Sequence, residues 1–324
     1  MTLGFLAEAL RGHPSIRGKL AIGAATAALG LSGSSFGRPG DDAALLPRKD
    51  GGFDLLAGEG FIPRFVAEDP WFAGWCGVMV NLSDIAAMGG RASALIDQVW
   101  APSPEAARPL MEGLRAASEA YGVPVVGGHT NYGSAELGLA VTVLGHAAAP
   151  ITSFDAEPGD VLLAAIDRRG DYRPPYDNFC AALDAPPERL RGDLDVLPQL
   201  AEAGLVKAGK DISQSGLVGT ALMLAECSGV AITLDLGRIT LPEGATLERW
   251  LRSFPSFGFL LAVKPGDVDA VIARFVERDL SAAPIGRIEE GSAVSLCRGE
   301  ERALFWDWRA EPYLRPSISE PAHA

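Results

Sequence analysis

Cysteine is scarce in this chain: Cys76, Cys180, Cys227 and Cys297 are the four in 324 residues. No two of them stand at a CxxC or zinc-ligand spacing, so a disulfide scaffold and a zinc ribbon find no support. Isolated cysteines in a chain of this length read as small buried apolar residues of a reducing compartment. Long apolar runs are missing too. The longest, Leu20–Leu31, is about twelve residues and rich in alanine and glycine, too short to cross a bilayer. Met1–Arg11 lacks a basic stretch followed by an apolar core and a cleavage site, so no secretory signal is expected and the cytoplasm is the expected compartment. Cationic charge is in deficit: Lys+Arg is 28 against Asp+Glu 41, a net charge of −13. That excludes the basic footprint of a nucleic-acid partner at the level of the whole chain. No GxxxxGK[ST] phosphate loop and no short-period repeat occur.

What is present is an ordinary globular composition, 48% hydrophobic and 21% charged, with enough apolar surface for a substantial core. The length predicts about two domains. Helical spacing marks Leu3–Leu10 and Ser15–Leu29, and glycines at 30, 33, 37 and 40 then exclude regular structure. Beyond them the pattern alternates: a strand at Phe53–Ala57, a helix at Trp71–Met88 and a strand at Ala94–Trp100. A helix over Ser103–Tyr121, capped by Ser103, is followed by strands at Val123–Val126 and Leu137–Leu144. Turn chemistry at Pro158-Gly159-Asp160 opens a second series. It has strands at Val161–Ile166, Leu205–Ile212, Val230–Leu234, Phe257–Val263 and Ala293–Cys297, with helices at Leu217–Cys227 and Asp267–Arg278. Pro174–Pro187 is irregular. The expectation is two α/β (α+β) domains, residues 1–149 and 150–324.

Polar residues gather where elements should end. Gly40-Asp41-Asp42 stands between the glycine-rich segment and an apolar strand, and Gly58-Glu59 ends another strand. Asn81-Leu82-Ser83-Asp84 lies inside an apolar helix, Gly127-Gly128-His129-Thr130-Asn131 follows an apolar strand, and Asp211-Ile212-Ser213-Gln214 follows a later one. Asp84 is the most telling. Among Val78, Met79, Val80, Leu82, Ile85, Ala86 and Met88, a carboxylate is costly unless it is paired, hydrogen-bonded or bound to a cation. Hard cations such as Mg²⁺ select such oxygens and often bring phosphates with them. Each residue also has a plain reading. Asp42 suits a turn, Glu59 the surface, Asp84 or Asp211 a helix cap, His129 a satisfied structural position, and the glycine-rich segment a linker.

Together, Gly40-Asp-Asp-Ala-Ala-Leu-Leu46, Asn81-Leu-Ser-Asp-Ile-Ala-Ala-Met-Gly89, Gly127-Gly-His-Thr130 and Asp211-Ile-Ser213 resemble, in order and spacing, the aminoimidazole ribonucleotide (AIR) synthase-related (PurM-like) superfamily. The thiamine-monophosphate kinase branch looks closest. The resemblance implies an N-terminal α/β domain whose strands pair with a second subunit in a dimeric β-barrel. A C-terminal α/β domain would pack against it, and ATP with Mg²⁺ would bind. By the same resemblance Asp42, Asp84 and Asp211 are the catalytic, metal-holding aspartates, and Glu59 adds an oxygen ligand. Gly33, Ser34, Gly37, Gly40, Asp41, Gly128, His129, Thr130, Ser213 and Gln214 line the nucleotide.

The departures are specific. His129 stands where the kinase branch has an aspartate, a softer donor and a less natural Mg²⁺ ligand. Gln214 replaces a second aspartate, and Phe254-Pro-Ser-Phe-Gly-Phe259 replaces an acidic substrate-side motif. The phenylalanines read either as an aromatic wall for an acceptor or as core packing. The expected function is a Mg²⁺- and ATP-dependent phosphotransferase or ATP-activating enzyme acting on a small metabolite, a homodimer without nucleic-acid or membrane partners. The alternative is a nucleotide-binding partner or regulatory subunit that has lost catalysis.

Overall fold

The computed structural model describes residues 2–32, 35–37 and 39–314. The chain opens with α1 (Leu3–Gly12), α2 (Pro14–Arg17) and α3 (Ile22–Ala28). It continues through β1 (Ala44–Pro47), β2 (Phe53–Gly60), α4 (Pro63–Glu68), α5 (Pro70–Ala87), β3 (Arg91–Trp100), α6 (Pro104–Tyr121), β4 (Val125–Asn131) and β5 (Gly138–Ala147). There follow β6 (Val161–Ile166), β7 (Asp171–Tyr172), β8 (Asn178–Cys180), α7 (Pro187–Leu194), α8 (Val196–Glu202), β9 (Ala208–Asp211), α9 (Gly216–Ser228) and β10 (Ala231–Asp235). The last elements are α10 (Leu247–Leu251), β11 (Phe254–Pro255), β12 (Gly258–Val263), α11 (Val268–Val276), β13 (Ser281–Glu289), β14 (Ala293–Arg298) and β15 (Glu301–Asp307).

Two compact units result, and the architecture is mixed α/β. One unit holds residues 42–151 and 182–204; the other holds 1–41, 152–181 and 205–324. A single cut at 149/150 therefore does not describe the units, because α7 and α8 return to the first of them. Their Pro-rich approach and short length hide them from periodicity.

The first unit is built on a five-stranded sheet, order β1-β2-β5-β3-β4, antiparallel except for β3–β4. Asp69 and Pro70 start α5, with the Asp69 carboxylate accepting from Phe72 N at 3.3 Å. From Phe72 to Ala87 every residue of α5 is buried. A helix apolar on all sides needs cover on all sides, and here the sheet and α6 provide it. Ser103 caps α6 as the sequence predicts, and Gly122 ends it at φ 72°, with its N–H on Ser118 O at 2.8 Å. Helices α5 and α6 touch backbone to backbone. A Cβ on Gly113 would sit 1.9 Å from Trp71 O, and one on Gly74 2.1 Å from Leu110 O. The other side of the sheet is open. Leu56 and Leu144 pair across β2 and β5, and with Ile96 and Trp100 they stay about two-fifths exposed, at 44%, 41%, 40% and 43%. Among the described residues this sheet closes no barrel; β1 and β4 remain its edges.

The second unit carries a seven-stranded sheet, order β15-β14-β10-β13-β6-β12-β9, antiparallel except for β10–β14. Strands β11, β8 and β7 form a small sheet of their own, in that order. Helix α9, buried from Gly216 to Cys227, and α1, through Leu3, Leu6 and Leu10, share one core cluster with Leu162, Ala164, Leu260, Ala262, Val294 and Leu296. Helix α11 packs against β6 and β13, with Val271 and Phe275 fully buried. The Glu226 carboxylate, inside α9, accepts from Tyr313 N at 2.9 Å and Leu314 N at 2.7 Å, which ties the end of the described chain to the core. The long helix expected over Ser15–Leu29 is divided by a 3₁₀ turn at Gly18–Ala21. Strands β13 and β15, which the sequence pattern did not reveal, have half-exposed alternation, and β13 is broken by a bulge at Pro284/Gly286.

The glycine contact between α5 and α6 yields a stability prediction. Gly113→Ala should lower the unfolding free energy by about 2 kcal/mol, measured by urea denaturation of the full chain. A loss under about 0.5 kcal/mol would show that the helices have room to part.

Candidate functional site

Helix α5 carries Asp84 on the same face as Asn81, three residues earlier. Asn81 is fully buried; its Nδ2 donates to Gly77 O at 2.8 Å, while Oδ1 finds no hydrogen-bond partner among the described residues. Asp84 is 6% exposed. Asp42, just before β1, brings a carboxylate oxygen within 4.8 Å of one on Asp84. The first unit thus holds two carboxylates and one orphaned amide oxygen on or beside an apolar helix. That all-oxygen donor set suits a hard divalent cation better than a thiolate-seeking one, and the orphaned Asn81 oxygen fits the same reading.

The adjacent aspartate does a different job. Asp41 belongs to the second unit, where its carboxylate accepts from Ser153 N at 3.0 Å and from Ser153 Oγ at 2.6 Å. Ser153 stands beside Thr152, whose backbone brackets β9 through Thr152 N to Lys207 O at 3.0 Å and Gly209 N to Thr152 O at 3.1 Å. Asp41 therefore anchors the foot of the glycine-rich segment. There Gly40, at φ 119°, leaves just enough space for Cys227 Sγ, 3.4 Å from where a Cβ would stand. Gly37 is also left-handed, at φ 84°. Gly33 and Ser34 lie outside the described residues.

Asp211 ends β9 in the second unit, 5% exposed and opposite Phe259 of β12. Beyond it Ser213 O accepts from Gly216 N at 2.8 Å, closing the turn into α9, and Ser213 Oγ is buried without a partner among the described residues. Gln214 is exposed. Phe257 and Phe259 are buried, at 7% and 0%, in edge-to-face contact at 4.9 Å. They are packing and do not form an open wall for an acceptor.

Gly127–Asn131 is a strand, not the loop after one. It lies in β4, paired in parallel with β3, where Gly128 stands opposite Asp97 and His129 opposite Gln98. His129 is exposed and Thr130 half-buried. Glu59, exposed on β2, is not among the carboxylates that lie together. It stands in one row with Val141 and Asp97 across the sheet.

Asp97 is the carboxylate that motif reading missed. It sits between Leu95 and Val99 on the buried side of β3 and is 9% exposed. Its carboxylate occupies the space over Gly128, where a Cβ would lie 2.3 Å from Oδ1. Burial pushes its carboxyl above the ordinary carboxylate range. The signal was the one that singled out Asp84, a carboxylate in an apolar segment, but a strand's two-residue period allows a polar outward position and masks it.

A raised carboxyl means that the folded state resists the charge. Below the ordinary carboxylate range both folded and unfolded chains carry the proton and nothing is lost. As pH rises past that range, the unfolded chain ionises more readily and stability falls. Asp97→Asn should therefore raise the melting temperature at pH 8, with the gap closing as the solution is acidified. A gap independent of pH would contradict the burial argument.

Comparison with known proteins agrees with this architecture. The AIR synthase related protein N-terminal domain matches residues 40–147, and the corresponding C-terminal domain matches residues 182–297. An uncharacterised protein of Synechocystis sp. is 47% identical over 277 residues, 85% of each chain. The thiamine-monophosphate kinase of Methanopyrus kandleri is 30% identical over 274 residues, 80% of this chain and 85% of that one. Among solved structures, T. maritima PurL complexed with ATP superposes with a TM-score of 0.70 at 16% identity, over 87% of this chain. This chain spans about half the length of that PurL, 48%. By its matched domains and its relatives, the chain belongs to the AIR synthase related protein family.

Proposed function

We propose that the chain is a Mg²⁺- and ATP-dependent phosphotransferase or ATP-activating enzyme, similar to thiamine-monophosphate kinase and acting on a small metabolite. The observation that carries this reading is the pair Asp42 and Asp84, two carboxylates within 4.8 Å of each other on or beside a buried helix. Two anions held so close favour a cation between them. The reading is supported by the 30% identity to a thiamine-monophosphate kinase and by the fold shared with a PurL complexed with ATP.

In this proposal Asp42, Asp84 and Asp211 would hold Mg²⁺, and Glu59, which the resemblance adds as an oxygen ligand, stands apart from that group. Bound Mg²⁺ supplies charge neutralisation at the terminal phosphates of ATP. The protein's own groups position and shield. Backbone N–H groups of the glycine-rich segment, at Gly37 and Gly40, would serve the phosphates; Gly33 and Ser34, given the same role by the resemblance, lie outside the described residues. Gly128, His129, Thr130, Ser213 and Gln214 line the nucleotide, and Asp41 holds the foot of the segment through Ser153. No nucleophilic side chain is required, because in-line transfer to an acceptor is driven by positioning and electrostatic stabilisation.

The open face of the first unit's sheet completes the proposal. Leu56, Ile96, Trp100 and Leu144 form an apolar surface of the kind that marks an interface. We assign it to a second copy of this chain, the two sheets closing into the barrel that the family resemblance implies. The four scattered cysteines suit the reducing cytoplasm. No helix among the described residues is long and apolar enough to cross a membrane.

Asp84→Asn should weaken Mg·ATP binding at least tenfold by calorimetry while the melting curve stays cooperative; unchanged affinity would remove Asp84 from the site. In a coupled assay for ADP or phosphate release across small amines, phosphates and thiamine precursors, turnover with any acceptor establishes an enzyme. Tight Mg·ATP binding without turnover would favour the regulatory-subunit alternative. Leu144→Arg should convert a dimer to a monomer in sedimentation velocity, and an unchanged sedimentation coefficient would place the interface elsewhere.

A further inference from the structure

A cationic cluster lies entirely within the second unit, beside the turn that follows Asp211. Arg249, in α10, and Arg252, just after it, converge on one carboxylate. Arg249 Nε donates to Asp177 Oδ1 at 3.0 Å, and Arg252 Nη1 donates to Asp177 Oδ2 at 2.6 Å. Arg252 Nη1 also lies 2.7 Å from His13 Nε2. Burial, and then the nearby Arg252 charge, hold His13 below its ordinary value, so the ring stays neutral and accepts. The guanidinium of Arg249 lies 3.5 Å over the ring of Tyr172, whose hydroxyl is 2.8 Å from Ser253 Oγ.

The cluster has more donors than its carboxylate can use. Arg252 Nε is buried without a hydrogen-bond partner among the described residues. Arg249 and Arg252 share the one carboxylate of Asp177, and a further carboxylate, Glu248, acts on His13. The side chains are not sealed away: Arg249, Arg252 and Asp177 are 34%, 23% and 28% exposed. The place is also fixed relative to the Asp211–Ser213 turn. Gly216 packs so tightly on Arg252 that a Cβ there would lie 2.3 Å from the Arg252 Cα. Three residues before Gly216, Ser213 Oγ is a second buried polar atom without a partner among the described residues.

Asp177 is well placed to give way. Its backbone is pinned, since Phe254 N donates to Asp177 O at 3.0 Å. Releasing the arginines needs only rotation of its own side chain. Paired guanidinium forks match the oxygens of a phosphate or carboxylate in bidentate geometry.

We propose that Arg249 and Arg252 are the anion-recognising end of the acceptor site, and that Asp177 holds this end in the free chain until a phosphate monoester or carboxylate of the substrate displaces it. The inference rests on reading the Asp211–Ser213 turn as part of a nucleotide site. It adds that the acceptor carries an oxyanion.

The test titrates inorganic phosphate and, separately, acetate into the full-length protein by calorimetry. It compares wild type with Arg249→Gln, Arg252→Gln and Asp177→Asn, and measures Mg·ATP affinity for each. Phosphate affinity should fall at least tenfold in both arginine variants and rise at least fivefold in Asp177→Asn, with Mg·ATP affinity unchanged within twofold. Asp177→Asn keeps both arginines, so its gain in affinity is readable even if an arginine variant fails to fold. Tighter binding of phosphate than acetate assigns the group to a phosphate ester, and the reverse to a carboxylate. Phosphate affinity indifferent to the arginines or to Asp177, or Mg·ATP affinity lost together with phosphate affinity in the arginine variants, overturns the proposal. Absence of Mg·ATP binding in the wild type, with the phosphate results as expected, would instead sink the nucleotide reading and leave the anion site standing.

Discussion

The closeness of Asp42 to Asp84 is the constraint on which the proposed site of the first unit rests. One oxygen of each lies within 4.8 Å of the other, close enough for two carboxylates to act on one another strongly. Asp84 is buried among apolar neighbours on α5, while Asp42 is half-buried. The proposed divalent cation would bind between these two carboxylates. The Asn81 oxygen, without a hydrogen-bond partner among the described residues, lies on the same face of the same helix and suits that proposal.

The scaffold exists to hold that helix still. Helix α5 is wedged between a sheet and α6, and the backbones meet at Gly74 and Gly113 without side chains between them. Glycine costs helix stability, so its presence at the crossing reflects the closeness of the approach. Neighbouring aspartates divide the labour: Asp41 secures the glycine-rich segment through Ser153, while Asp42 faces Asp84. In the second unit Asp211 ends β9, and the backbone of Arg252 packs against Gly216.

Much of this is legible in the residues. Asp84 stands out because a charge in an all-apolar helix has to be met by a partner or a cation, and Ser103 and Gly122 announce the ends of α6 by their conformational preferences. Other parts are illegible for definite reasons. Gly127-Gly128 looks like a loop, yet it is strand, and at Gly128 the Asp97 carboxylate fills the space a side chain would take. Asp97 itself is hidden by the alternation that strands permit. The two roles of Asp41 and Asp42 are indistinguishable in sequence, since only the position of Ser153 separates them. Phe257 and Phe259 read equally as a binding wall and as packing until their burial decides the matter. The cluster of His13, Asp177, Arg249 and Arg252 joins three distant segments, and no local pattern announces it.

The central claim is that Asp42 and Asp84 share a divalent cation together with a nucleotide. Electron paramagnetic resonance of Mn²⁺ added to the full-length protein tests it directly. The prediction is that, with ATP present, the free-ion sextet is depleted by the protein beyond what ATP alone removes, and that the extra depletion disappears in Asp42→Asn. A spectrum identical with and without protein, or extra depletion that survives in Asp42→Asn, would contradict it.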